Sequence, residues 1–274
     1  MEFVDEISAA RKFTPLIVCG MARSGTRMIT DLLNRFDEVA IQPEMHAATL
    51  DAYLEMTESI SGTYSYYSEK KGRNLAKYWE RFQPALAFCF LALGNKKGPV
   101  GRGKKISYLG IKTPSYEHKF DAFEQIFHHG QAPLYVYCMR RPKKVWASWK
   151  SLGYEQEVGV FSRRYRRSLK KALRISESCR GRFALFDLDS YLAAQEKRQW
   201  VIDHVLAPLV LSVEMPNDFI PDAVPNRNSL ERAGKPRLLD RETRLELDAL
   251  KSCPELVELR NRLARAANAP PRQV

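Results

Sequence analysis

The chain has 274 residues, 45% hydrophobic and 28% charged, which suits a soluble globular protein of one sizeable domain or two small ones. Lys and Arg number 44 against 32 Asp and Glu, and the formal charge of +12 favours polyanionic ligands: nucleotides, sulfated or phosphorylated glycans, nucleic acid or an anionic surface. Five scattered cysteines without a CxxC pair fit a reducing compartment and offer no metal site, and no apolar run approaches the ~20 residues of a membrane span. The start, Met1 to Glu6, lacks the basic and apolar segments of a signal peptide, so the expectation is a soluble protein of the cytoplasm.

The first predicted strand is Leu16-Ile17-Val18-Cys19. It leads into Gly20-Met21-Ala22-Arg23-Ser24-Gly25-Thr26-Arg27, after which Met28, Ile29, Leu32, Leu33 and Phe36 fall on one face of a helix. Strand, glycine-bearing loop and helix start make an anion cradle, because consecutive backbone N–H groups and the positive helix end converge. The glycine spacing is that of GxxxxGK[ST], but Thr26-Arg27 stands where Lys-Ser/Thr should. The loop therefore suits a phosphate and lacks two working parts of Mg²⁺-nucleoside triphosphate chemistry.

Val39-Ala40-Ile41 is a second strand, ending at Gln42-Pro43-Glu44. Leu93 to Ser107 is a glycine-rich basic loop, either solvated or a lid over bound anions. Tyr108 to Ile111 is a third strand, closed by Lys112-Thr113-Pro114, and Phe120, Phe123, Ile126 and Phe127 recur at helix spacing. Leu134 to Cys138 is a fourth strand, followed by Met139-Arg140-Arg141-Pro142, with Pro142 suited to a first helical turn. Trp146 and Trp149, at helix spacing, read as core. Arg163 to Arg174 is the densest basic run and holds no acid; it is either a solvated helix face or a dock for an anionic acceptor. Phe183 to Phe186 is the fifth strand, Pro216 to Pro236 a linker or wrapping loop, and Arg241 to Arg265 a helix.

Near-continuous apolar strands alternating with helices indicate an α/β fold with a mostly parallel sheet of about five strands, covered on both faces. Ligands in such sheets sit at the carboxyl ends of the strands, where the polar residues singled out above lie. The second constellation there is Arg140 with Ser148, an arginine at a strand end and a hydroxyl about two turns into the next helix. Together they can grip one phosphate from two sides.

This pair of motifs resembles the sulfotransferases that use 3′-phosphoadenosine 5′-phosphosulfate (PAPS), whose motifs run near GxxRSGTT and RxPxxxxxS. The resemblance covers about Leu16 to Ser148 and is nearest the branch of tyrosylprotein and many bacterial sulfotransferases, in which a Pro-Glu segment follows the second strand and a Lys-Thr-Pro segment a later one. It implies a P-loop-type three-layer fold and one domain over 1–274, with a core at about 14–212 and residues 213–274 packing on or extending it. It implies that Arg23 and the backbone of Ser24, Gly25, Thr26 and Arg27 hold the 5′-phosphate and sulfuryl oxygens, Thr26 adding its hydroxyl. Arg140 and Ser148 would hold the 3′-phosphate. Glu44 would be the base with His46 in reserve, Arg23 and Lys112 would stabilise the developing charge, and no metal would be required. The partner it implies is an acceptor bearing a hydroxyl or amine, anionic if the basic run docks it, with no specific nucleic acid; peripheral contact with an anionic surface stays open. The chain departs from the family at Arg27, where a second Thr or Ser is usual, and at Arg141, where Asp is commoner. Gly-x-x-Gly-x-Trp-Lys is absent. Two other functions stay open: a metal-dependent phosphotransferase using ATP-Mg²⁺, and a non-catalytic module that binds polyanions.

Overall fold

The computed structural model describes residues 13–42, 44, 47–71, 106–127, 131–154, 156–216, 219, 221, 241–251 and 253–268. His46, the basic loop up to residue 105 and most of Pro216 to Pro236 lie outside the described residues. The first half of the chain forms β1 (Thr14–Gly20), α1 (Thr26–Leu33), β2 (Val39–Gln42), α2 (Ala47–Lys71), β3 (Tyr108–Lys112), a 3₁₀ turn (Tyr116–Lys119) and α3 (Phe120–Ile126). Then come β4 (Leu134–Met139), α4 (Pro142–Ser151), α5 (Val158–Ser178), β5 (Phe183–Asp187), α6 (Leu188–Ala193) and α7 (Lys197–Val201), which runs into a π-helical turn over Ile202–Leu206. Two helices follow, α8 (Arg241–Lys251) and α9 (Pro254–Ala267).

The five strands form one sheet in the order β2-β3-β1-β4-β5, and every pairing is parallel. All five apolar runs of the sequence are these strands. Alternate residues serve opposite faces. Leu16, Val18, Val136, Cys138, Ala184 and Phe186 pack with Ile29, Leu32 and Leu33 of α1 and with Val201 and Val205. Ile17, Cys19, Tyr135, Tyr137 and Met139 pack with Phe123, Trp146, Phe161, Tyr165, Leu169 and the α9 leucines on the other face. Thus α1, which follows β1, covers one face, while α4, which follows the adjacent β4, covers the other. The chain diverges between the ends of β1 and β4, and such a divergence opens a crevice at the carboxyl edge.

The expected single helix over Arg241 to Arg265 is two. Cys253 is extended (φ −74°, ψ 101°) and Pro254 opens α9, because proline lacks an amide hydrogen and its ring pushes the preceding residue out of helical geometry. Both helices pack on the core: Trp146 Nε1 of α4 donates to Glu246 of α8 at 3.0 Å, and Leu256, Leu259 and Leu263 of α9 are buried. Among the described residues no helix is long and apolar enough to cross a membrane.

Candidate functional site

The loop after β1 begins at Gly20, whose φ of +129° and closeness to β4 exclude a side chain; a Cβ there would lie 2.3 Å from the Cys138 carbonyl oxygen. Arg23 itself is left-handed at φ +74°, a conformation that non-glycine residues adopt at a cost and that tends to mark functional turns. Ser24 turns inward, its Oγ–H donating to the Met21 carbonyl at 2.6 Å. Gly25 caps α1 at φ +108° without a side-chain cap, which leaves the first amides of the helix for an anion. Thr26, in that first turn, is buried. The Arg27 side chain leaves the loop: it is half exposed, and its Nε lies 3.9 Å from Asp31 Oδ2 one turn on.

The end of β4 supplies the second half. Arg23 Nε donates to Ser148 Oγ at 2.9 Å, so the loop after β1 touches the helix after β4. Ser148 is buried. Arg140 sits close enough that its charge and that of Arg23 oppose each other, and its buried Nε has no hydrogen-bond partner among the described residues. Burial draws the Arg140 guanidinium below the usual arginine range, the Asp189 carboxylate counters this, and the Arg23 charge adds to it. Burial lowers Arg23 likewise, against a small opposing contribution from Tyr154. An unpartnered buried donor costs about 1–3 kcal/mol, and an anion between these residues would remove that cost.

Further residues hold this arrangement. Tyr165 of α5 donates its hydroxyl to the Arg140 carbonyl. Asp189 Oδ2, at the start of α6, accepts the Arg141 N–H at 2.6 Å, and Lys144 Nζ lies 2.8 Å from its Oδ1. Burial alone would raise the Asp189 carboxyl, but hydrogen bonds from Lys144 and the Arg141 amide, with the charges of both residues, hold it below its ordinary range. Asp187 Oδ1 accepts the Asp189 N–H at 3.0 Å, and its Oδ2 lies 3.5 Å from Arg260 Nη2 of α9. Trp149, taken from the sequence as core, is core and more: its Nε1–H donates to the Ala22 carbonyl of the loop at 3.0 Å. The signal for Asp187 and Asp189 was present in acids at the carboxyl end of an apolar run.

At the β3 end Lys112 is buried and its ammonium donates to Glu44 Oε1. Glu44, following β2, has a side chain 58% exposed, so its carboxylate is open to a ligand while its partner is not. The sequence named both residues without pairing them.

Along α5 the basic run faces outward, while Tyr165, Ser168, Leu169 and Ala172 face the core. Its charges meet acids of other helices: Arg166 is 3.0 Å from Glu255, Arg174 is 2.7 Å from Asp121, and Lys171 is 3.6 Å from the same carboxylate. Arg164 lies over the Trp149 ring at 5.7 Å, which brings this surface towards the loop.

No protein-family model matches the chain, and comparison with curated proteins finds no relative in sequence. Several solved structures match in three dimensions, among them two sulfotransferases. The sulfotransferase domain from the Synechococcus PCC 7002 olefin synthase is 14% identical with a TM-score of 0.51, over 93% of this chain and 96% of that one. The sulfotransferase STF9 from Mycobacterium avium is 15% identical with a TM-score of 0.49, over 95% of this chain and 79% of that one. At such identity the likeness to the olefin synthase domain is one of architecture: the chain has the α/β fold, with its parallel sheet flanked by helices, of that sulfotransferase domain.

Proposed function

We propose that the chain is a sulfotransferase that moves the sulfuryl group of PAPS to a hydroxyl or amine of an acceptor. The observation that carries this reading is the assembly of Arg23, Ser148 and Arg140 at the ends of adjacent strands, with the Arg140 Nε buried and unpartnered. Two guanidiniums, a hydroxyl and the open amides of α1 suit a ligand bearing phosphates at two positions. In the transfer, the acceptor oxygen or nitrogen forms a bond to sulfur while the bond from sulfur to the 5′-phosphate oxygen breaks. The electron pair leaves on adenosine 3′,5′-bisphosphate, and the acceptor's proton passes to Glu44. The sulfuryl group carries less charge than a phosphoryl group, so Arg23 and Lys112 can offset the charge that builds on the leaving oxygen. The outer face of α5, beside Trp149, suits an anionic acceptor. The four described cysteines are free thiols, which suits the cytoplasm.

Calorimetric titration with adenosine 3′,5′-bisphosphate in EDTA tests the reading. Binding is expected, with about 2.7 kcal/mol of stabilisation at a hundredfold excess over Kd. Stabilisation by ATP-Mg²⁺ alone would replace it with a phosphotransferase, and steeply salt-dependent polyanion binding alone with a non-catalytic basic module.

A further inference from the structure

Glu117, in the 3₁₀ turn after β3, is 1% exposed. Its Oε2 accepts the Gly20 N–H at 3.1 Å, and its Oε1 accepts the Ser168 Oγ–H at 2.6 Å. Ser168 is itself buried, with its Oγ 2.7 Å from the Tyr137 hydroxyl. Since Ser168 gives its proton to Glu117, Tyr137 is the donor in that contact, and the hydrogen bonds run from Tyr137 through Ser168 into the carboxylate. Gly20 is held on its other polar atom too: its carbonyl accepts the Ser115 N–H at 2.9 Å. Other groups facing the carboxylate are His118 Nε2 at 3.8 Å and the Cys19 thiol. Burial pushes the Glu117 carboxyl up, and the hydrogen bonds from Ser168, its own backbone and Gly20 only partly offset this.

A leucine would fill this volume without burying a carboxylate, so the group needs a purpose beyond packing. The purpose visible here is acceptance of the Gly20 amide, at the last residue before the anion loop. Ser168 and Tyr165 are three apart on α5, on its buried face. Through Ser168 and Glu117 that helix holds the start of the loop; through Tyr165 it holds the Arg140 carbonyl. We propose that Glu117 is a positioning residue of the anion site, linking the loop after β1 to α5 so that one helix sets the spacing between the loop and Arg140. The proposal rests on the reading of these residues as an anion site.

Glu117→Gln and Glu117→Leu test it, because both are neutral and similar in size and differ in having an acceptor for the Gly20 amide. The glutamine can accept from Gly20 with its oxygen and donate to Ser168 with its nitrogen. Calorimetry with adenosine 3′,5′-bisphosphate in EDTA should show the leucine variant binding at least tenfold more weakly than the glutamine variant. Equal affinities would overturn the proposal. Ser168→Ala covers the case in which the leucine variant does not fold: binding three- to tenfold weaker is expected, and unchanged binding would overturn the link to α5. Hydrogen exchange at the Gly20 amide, measured without ligand, should be slow in wild type and Glu117→Gln and at least tenfold faster in Ser168→Ala. If wild type binds no bisphosphate the function proposed above falls, and this exchange decides on the link alone; equal rates in all three proteins would remove it.

Discussion

Arg23 Nε and Ser148 Oγ, 125 residues apart in sequence, lie 2.9 Å apart in the fold. The family resemblance assigns them to grips on different phosphates. Their contact makes the two grips neighbours on one cationic surface, and removing either side chain disturbs the other.

Arg23→Ala and Ser148→Ala should therefore be coupled. Arg23→Ala alone should weaken adenosine 3′,5′-bisphosphate at least tenfold, since a hydrogen bond to a charged group contributes roughly 1.5–3 kcal/mol. The double variant should lose less than the product of the two single losses, by about 0.5 kcal/mol or more. Strict additivity in calorimetry would show that the contact does not matter to the ligand.

Arg140→Ala should weaken the bisphosphate at least tenfold and adenosine 5′-phosphosulfate, which has no 3′-phosphate, far less. The buried, unpartnered Nε is the reason to expect a large effect. Equal losses for the two nucleotides would move Arg140 away from the 3′-phosphate.

The pairing of Glu44 with Lys112 gives an asymmetric expectation. Glu44→Gln should lower turnover about 10²-fold or more and leave bisphosphate affinity unchanged, as loss of a general base does. It should also lower Tm, because it strips the carboxylate from the ammonium of a lysine that is 6% exposed. Lys112→Met should lower Tm less, since Glu44 is then left facing water. Turnover near wild type in Glu44→Gln would return attention to His46.

Asp189 gives a pH signature. Its native pKa lies below the ordinary 3.8, chiefly because hydrogen bonds and charge from Lys144 and Arg141 outweigh its burial. A depressed native pKa adds stability in full above the unfolded value, and that stability is lost as pH falls through the lower native value. Asp189→Asn should be less stable than wild type in urea at pH 7 and pH 5, and the gap should narrow below about pH 4. A gap that stays constant to pH 3 would mean that the carboxylate charge contributes nothing.

The strands were legible because parallel strands buried on both faces leave continuous apolar runs, as at Leu16 to Cys19 and Leu134 to Cys138. Their order was not, since no local pattern says that β3 and β4 flank β1. Arg140 and Ser148 could be named from their place at and after a strand end, while Arg23, Lys112 and Glu44 took their roles from the motifs that resemble sulfotransferases. The contacts between them could not, because Arg23 meets Ser148 and Glu44 meets Lys112 only after the sheet has assembled. For the same reason the basic run on α5 looked uncompensated: its acids, Asp121 and Glu255, come from distant helices. Glu117 stayed hidden because a short polar turn after a strand normally faces solvent.

The chain of contacts from Arg260 through Asp187 to Asp189 and the Arg141 amide has a consequence for biosynthesis. A nascent chain that has reached the end of β5 already has Arg23, Arg140, Ser148 and Asp187, yet Asp187 still lacks the guanidinium that faces it. That guanidinium arrives with α9. Of the contacts that stand behind the Arg140 turn, the one from Arg260 to Asp187 is thus the last whose residues are synthesised.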